Sequence, residues 1–183
     1  STRKIPSELC GLLNRDPDSP FYGLIKRVSN EKDKKAVIVD SAIIEMINNS
    51  IKNPLGVLAQ YKSLGSEPSD INAMYHTIVI FWNAVMDSFP DAWGLPPTQS
   101  RLMHSAGITS MGVLMDRVMG RAMIQKNPRK HIVESLARIA PHCRWTSGTW
   151  GQINLKWNEV QKINKHQRLL SELLTHLDFE TKI

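Results

Sequence analysis

The residues whose types and spacing best suit ligand binding are Arg101, His104 and Ser105. Arg101 and His104 are three positions apart, so on a helix they lie on one face. A guanidinium, an imidazole and a hydroxyl near the first turn of a helix can bind an anion, because the helix N-terminus presents free N–H groups and partial positive charge. The same residues also fit a polar cluster that ties the preceding segment to the helix. The sequence leaves both interpretations open.

Basic side chains near the end of the chain form a second candidate site. Residues 121–183 contain 11 Lys and Arg against 5 Asp and Glu, whereas residues 1–120 contain 12 of each, so the net charge of +6 belongs to the last third. Such an excess favours an anionic partner, and the phosphates of nucleic acid bind lysine and arginine. The predicted nucleic-acid contacts are Arg144, Lys156, Lys162, Lys165 and Arg168.

Tryptophans stand among these basic residues, at Trp145, Trp150 and Trp157. An exposed indole stacks on an unpaired base, so basic charge beside tryptophan is typical of a nucleic-acid-binding surface. The alternative is that the tryptophans cover one end of the core and that the charges are solvated without a partner.

Motifs of enzyme and cofactor sites are missing from the sequence. No glycine-rich loop ends in Lys-Ser or Lys-Thr, as a nucleotide hydrolase requires, and we predict no catalytic residue. His142 and Cys143 form one adjacent pair with no second pair at ligand spacing, so neither a metal nor a cofactor is expected. These absences favour a protein that is not an enzyme.

Cysteine usage and hydropathy bear on where the protein works. Cys10 and Cys143 have no paired spacing, which favours a reducing compartment. No apolar run approaches the roughly 20 residues of a membrane helix. We therefore expect a cytoplasmic protein with no membrane partner.

The candidate sites depend on a helical region at residues 69–123, around which the chain is organised. Apolar residues recur from Ile71 to Phe89 with the 3.6-residue period of a buried helix. Asp70 is expected to cap this helix, and Pro90 to end it. A stiff, proline-rich elbow follows at residues 90–97.

The second helix of this region is predicted from Gln99 to Ile124. Small residues in its first half, among them Gly107 and Gly112, predict the close approach of another backbone, expected to be that of the first helix. Methionines follow at every fourth position and favour either irregular core packing or a deformable groove for a partner. They are Met111, Met115, Met119 and Met123.

The remaining patterns predict further helices and few strands. Helices are expected at residues 5–14, 129–140 and 164–177, and a loop or short hairpin at 143–157. The fold class is mainly α, a compact multi-helix domain around a central helix-elbow-helix, with at most one or two short strands. A chain of 183 residues fits a single domain over 1–183.

Several stretches together resemble the C-terminal half of the DGQHR-domain proteins, the group that includes the DndB regulators of DNA phosphorothioation. Their order and spacing span nearly the whole chain. They are Asn14 to Gly23, Phe81 to Val85 with Pro90 to Gly94, Arg101 to Gly107, and Trp145 to Trp150 followed by Trp157 to Gln161.

The sequence departs from this family at its most characteristic point. It contains no Asp-Gly-Gln-His-Arg motif, which lies in the family's N-terminal half. The resemblance therefore implies the helical C-terminal portion of a longer protein, and it transfers no functional residue. It also implies a bacterial or archaeal protein from DNA modification, defence or mobile-element settings, with a regulatory or DNA-associated role.

Two hypotheses follow. In the first, the chain is a DNA-associated regulatory or defence module that binds nucleic acid through its basic C-terminal third. In the second, it is a protein-interaction or structural module that packs on its own N-terminal domain or on a second copy, through the methionines and the small-residue helix. The first predicts affinity that falls with salt, and the second predicts an exposed apolar patch.

Overall fold

The structure, a computed structural model, describes residues 4–30 and 32–180 and is mainly helical. Short strands form two small sheets in this part of the chain: β1 (Ile25–Lys26) lies parallel to β2 (Ile38–Val39), and β3 (Thr149–Trp150) lies antiparallel to β4 (Leu155–Lys156). The predicted mainly α fold is confirmed, and the described residues contain four two-residue strands where at most one or two were expected. The helices are α1 (Lys4–Arg15), α2 (Asp40–Lys52), α3 (Ile71–Ser88), α4 (Ser105–Ala122), α5 (Pro128–Ile139) and α6 (Asn164–Glu180).

The first helix of the organising region, α3, forms as the sequence predicts. The Asp70 carboxylate accepts a hydrogen bond from the amide of Ala73, 3.0 Å away, and so caps the helix. Phe89 follows its last residue and leaves the helical conformation, with φ −129° and ψ 59°, as expected for a residue before a proline, which disfavours the α region. In the elbow, Trp93 packs against Phe21 with 5.3 Å between ring centroids, which anchors this segment to the core.

The most deeply buried helix is α4, not α3. It packs mainly against α6 and α2, and its glycines allow the closest approaches. A Cβ on Gly112 would lie 2.4 Å from Cγ of Met46 in α2, and one on Gly107 would lie 1.9 Å from the carbonyl oxygen of Arg101. The prediction that the small residues face the first helix of the region is therefore wrong.

The methionines of α4 belong to the core. Met111 and Met115 are fully buried and Met119 is 3 % exposed, whereas Met123 is 41 % exposed. A groove lined by all four would need them at the surface. The structure supports core packing and not a methionine-lined partner groove.

The helix α4 also begins later than predicted. A single 3₁₀ turn covers Arg101–Met103, and His104 then adopts an extended backbone as the N-cap, so the α-helix starts at Ser105 rather than at Gln99. The carbonyl of Arg101 is held against Gly107 by this change of direction. Apolar periodicity cannot reveal such a break, because a 3₁₀ turn continues nearly the same pattern.

A buried group of charges joins α4, α5 and α6. The carboxylate of Asp178, 2 % exposed, accepts hydrogen bonds of 2.7 and 2.8 Å from the two terminal nitrogens of Arg121. Arg138 of α5 lies 3.7 Å from the same carboxylate. His131 accepts a further bond from Nε of Arg121 at 3.3 Å. Two of the five Lys and Arg residues of α4 and α5, Arg121 and Arg138, therefore belong to this buried group.

The described helices all contribute to one cluster of buried apolar side chains, from Leu9 in α1 to Leu177 in α6. Over residues 4–30 and 32–180, none of the helices is both long and apolar enough to cross a bilayer.

Candidate functional site

Each of the three side-chain nitrogens of Arg101 donates a hydrogen bond to a backbone carbonyl. Its Nε donates to the carbonyl of Val160 at 2.9 Å, and one terminal nitrogen donates to that of Asn158 at 2.7 Å. The other terminal nitrogen donates to the carbonyl of Pro97 in the elbow. Arg101 therefore fastens the elbow to the segment that precedes α6.

Further contacts of Arg101 extend this fastening to the hairpin formed by β3 and β4. Its guanidinium carbon lies 5.8 Å from the ring centroid of Trp157, and its amide donates to the carbonyl of Trp145 at 2.9 Å. Contact of an arginine with an indole face is favourable. These bonds support the interpretation of a polar cluster that ties the elbow to the helix.

His104 is the N-cap of α4. The amide of Ala106 donates to its Nδ1 at 3.1 Å, so this ring nitrogen carries no proton. Burial, together with the positive charges of Arg101 and Lys162, lowers the pKa of His104 to about 4. A neutral imidazole that already satisfies the helix terminus is a weak group for an anion, and the neighbouring Ser105 is buried.

Four of the predicted basic residues remain at the surface. Lys156 lies in β4, Lys162 precedes α6, and Lys165 and Arg168 lie in the first turns of α6, all of them exposed. None of them forms a salt bridge with any acidic side chain of the described ranges. On α6, Lys165 and Arg168 lie opposite the buried leucines.

Arg144 differs from these four. Its guanidinium donates to the carbonyls of Pro141 and Cys143, both at 2.9 Å, and its side chain is partly buried. It also packs over Gly148, where φ is +80° and an added Cβ would lie 3.0 Å from Cδ of the arginine. Arg144 therefore stabilises the approach to the hairpin through one terminal nitrogen of its guanidinium.

The tryptophans cover one end of the core. Trp150 is fully buried and Trp145 is 4 % exposed, and their ring centroids are 5.1 Å apart in a T-shaped pair. Trp157 is partly exposed, but Arg101 lies over its ring. Base stacking by Trp145 or Trp150 is therefore excluded by their burial.

The thiol of Cys143 and the metal-ligating side chains of the described residues do not form a reactive site. Burial raises the pKa of the Cys143 thiol to about 12, so it stays protonated and is a poor nucleophile. In the part of the chain that the structure describes, no three His, Cys, Asp or Glu side chains come together as metal ligands.

The structure brings the two candidate sites to the same end of the molecule. Lys162 lies close enough to His104 to act on its protonation, and Arg101 binds the carbonyls of Asn158 and Val160 just before it. Sequence reasoning missed this connection, because the partners are more than 50 positions apart and the carbonyl acceptors belong to no recognisable side-chain pattern. This end of the molecule therefore presents positive charge to solvent, on a segment that the hydrogen bonds of Arg101 hold in place.

Comparisons of this chain with protein-family models, with curated proteins and with solved structures find no match. The resemblance to DGQHR-domain proteins therefore stays a prediction. The function is inferred from the charge and exposure of the surface residues.

Proposed function

We propose that this chain is a DNA-associated module, the helical C-terminal portion of a DGQHR-type protein with a regulatory or defence role in the cytoplasm. It contacts the phosphate backbone through Lys156, Lys162, Lys165 and Arg168. It acts by binding and uses neither a catalytic residue nor a cofactor.

The observation that supports this role is the division of basic charge in the last third of the chain. Arg121 and Arg138 neutralise the buried Asp178, and Arg129 pairs with Asp87 at 3.0 Å. The four exposed residues named above have no such acidic partner among the residues described. Unpaired positive charge on consecutive segments is suited to a polyanion.

The buried tryptophans indicate which part of the nucleic acid is contacted. Single-strand binding proteins place exposed aromatic rings under the bases, and Trp145 and Trp150 have no such exposure. Lysine and arginine at phosphates carry no sequence information. We therefore expect binding that tolerates changes of sequence and does not favour single strands.

Fluorescence polarisation with labelled duplex and single-stranded DNA over a series of salt concentrations tests the proposal. Each neutralised phosphate of duplex DNA contributes about −0.9 to the slope of log K against log salt, so four contacts predict a slope of about −3 to −4. Absence of binding at the lowest salt concentration would contradict the proposal.

A pair of charge reversals locates the surface. Lys165→Glu with Arg168→Glu should abolish binding, because repulsion replaces two phosphate contacts on α6. The matched control is Lys34→Glu with Lys35→Glu, which changes the net charge equally at exposed positions between β1 and β2. If both double variants weaken binding to the same extent, the overall charge is responsible and not the proposed surface.

Exposed apolar side chains favour a second candidate function, a protein-interaction module that packs on its own N-terminal domain or on a second copy. Phe179 is 71 % exposed, Ile124 83 % and Leu55 86 %. Exposed single apolar residues are common, so the candidate requires a surface on which they combine with other groups. The state of association in solution tests this function without DNA.

A further inference from the structure

The outer faces of α4 and α6 form a shallow groove of about 370 Å³. Two large apolar side chains are exposed along it, Val113 at 39 % and Phe179 at 71 %. Aromatic residues are enriched where proteins associate, since they bury a large area at little entropic cost. The complete lining is Val113, Arg117, Ser171, Glu172, Thr175, His176 and Phe179.

One basic and one acidic side chain line the same groove, and neither forms a salt bridge with another described residue. Arg117 of α4 and Glu172 of α6 are both exposed, and neither forms a salt bridge within the described ranges. By contrast, His176 already lies 3.2 Å from Glu180. The groove therefore offers one unpaired positive and one unpaired negative charge beside its apolar residues.

The same face of α4 permits the close approach of another helix. Gly120 is seven positions after Val113 and three after Arg117, so the three share one face. It is exposed, and a Cβ added there would meet no atom within 4 Å. A glycine at such a position lets a second backbone come closer than a larger residue would allow.

We propose that this groove is the contact surface of a homodimer. A second copy supplies an acid for Arg117, a base for Glu172 and an apolar surface for Phe179, so the groove is complementary in charge to its own counterpart. In a two-fold contact each residue meets its counterpart reciprocally, so Arg117 of each copy would pair with Glu172 of the other.

The dimer surface adjoins the basic surface of α6, because Glu172 is one turn after Arg168 on the outer side of that helix. Phe179 is 14 residues after Lys165, which at the rise of an α-helix is about 21 Å along the axis. The contact is therefore expected to extend from Phe179 to Glu172, which is seven residues, about 10 Å along the axis, from Lys165. Dimerisation is measured without DNA, so its test does not depend on the proposed DNA binding.

Sedimentation velocity over a wide range of protein concentrations tests the homodimer. We expect a reversible monomer–dimer equilibrium, with weak affinity because the groove is small. Phe179→Ala should weaken the dimer by about tenfold or more, since it removes the central apolar contact. This side chain is mostly exposed, so the variant should unfold at the wild-type temperature.

Charge exchange provides the decisive variants. Arg117→Glu alone and Glu172→Arg alone should each weaken the dimer about tenfold or more, because each places like charges together. The two changes combined should restore it. Lys34→Glu, equal to Arg117→Glu in charge change but placed between β1 and β2, should leave the dimer unaffected.

A chain that stays monomeric at every concentration would overturn the proposal. It would also be overturned by a dimer that neither single reversal weakens, or by a combined variant that does not recover.

Discussion

The two ends of α6 carry charge in opposite ways. Near its C-terminus, Asp178 is 2 % exposed and is bound by Arg121 and Arg138 from two other helices. Near its N-terminus, Lys165 and Arg168 are exposed and form no salt bridge with the described residues. Charged side chains thus stabilise the fold near the C-terminus of α6 and remain accessible to a partner near its N-terminus.

Desolvation explains the difference. A buried carboxylate loses its hydration, so it is tolerated only where opposite charge and hydrogen bonds replace the water. Exposed lysine and arginine keep their hydration and need no partner for the fold. A count of basic residues cannot distinguish these situations, because burial decides between them.

The largest effect is expected from a variant that disrupts the buried ion pairs near the C-terminus of α6. Asp178→Asn removes the negative charge and leaves Arg121 and Arg138 facing each other without compensation. We expect a loss of about 3–5 kcal/mol in the free energy of unfolding, the range found when one member of a buried ion pair is removed. Urea denaturation followed by circular dichroism measures it.

Glu180→Gln is the matched control for this loss. It removes an acid two residues further on, whose carboxylate is 61 % exposed and pairs with His176 at 3.2 Å. An exposed pair contributes less than about 1 kcal/mol, so this variant should be nearly as stable as wild type. Equal losses in the two variants would mean that burial is not the cause.

A smaller effect concerns the pH dependence of the cap near Lys162. The pKa of His104 is about 4 in the folded chain and 6.5 in its ordinary state, so the folded state binds this proton less readily. Its contribution to stability is complete above about pH 6.5 and is lost as the pH falls through about 4. His104→Asn keeps a side-chain acceptor for the helix terminus but cannot titrate.

We therefore expect wild type to lose about 1–2 kcal/mol more than His104→Asn between about pH 7 and pH 4, since solvent partly screens this half-buried group. Urea denaturation of both proteins over this range measures the difference, and effects of other titrating groups cancel. Parallel curves for the two proteins would show that His104 is not the source.

The smallest effect is expected at the exposed end. Lys165→Ala with Arg168→Ala should change the free energy of unfolding by no more than about 0.5 kcal/mol, because both side chains are exposed and form no salt bridge with residues 4–30 and 32–180. Thermal or urea unfolding provides the measurement. A loss above about 1 kcal/mol would mean that these charges also stabilise the fold, and the contrast between the two ends would disappear.

The helices could be predicted where capping and periodicity agree. Asp70 and Pro90 mark the ends of α3, and apolar residues recur between them with the period of a helix. The start of α4 could not be predicted, because it depends on the contact of Gly107 with the carbonyl of Arg101. The pairing of β1 with β2 could not be predicted either, because strands of two residues are too short to show an alternation of apolar and polar side chains.

The candidate site could be predicted as a set of residue types but not as an arrangement. Charge asymmetry indicated the basic residues, and the exposure of Lys162 agrees with a surface role. Nothing in the sequence shows that the guanidinium of Arg101 binds the carbonyls of Asn158 and Val160. The partnership of Asp178 with Arg121 likewise depends on helix packing across 57 positions.

Burial of the tryptophans has a consequence for spectroscopy. Trp82 and Trp150 are fully enclosed, so their emission should be blue-shifted and resistant to quenching by iodide until the chain unfolds. Trp157 is partly open and lies next in sequence to Lys156. The emission of Trp82 and Trp150 therefore reports on folding. That of Trp157 would report on an anion bound at Lys156.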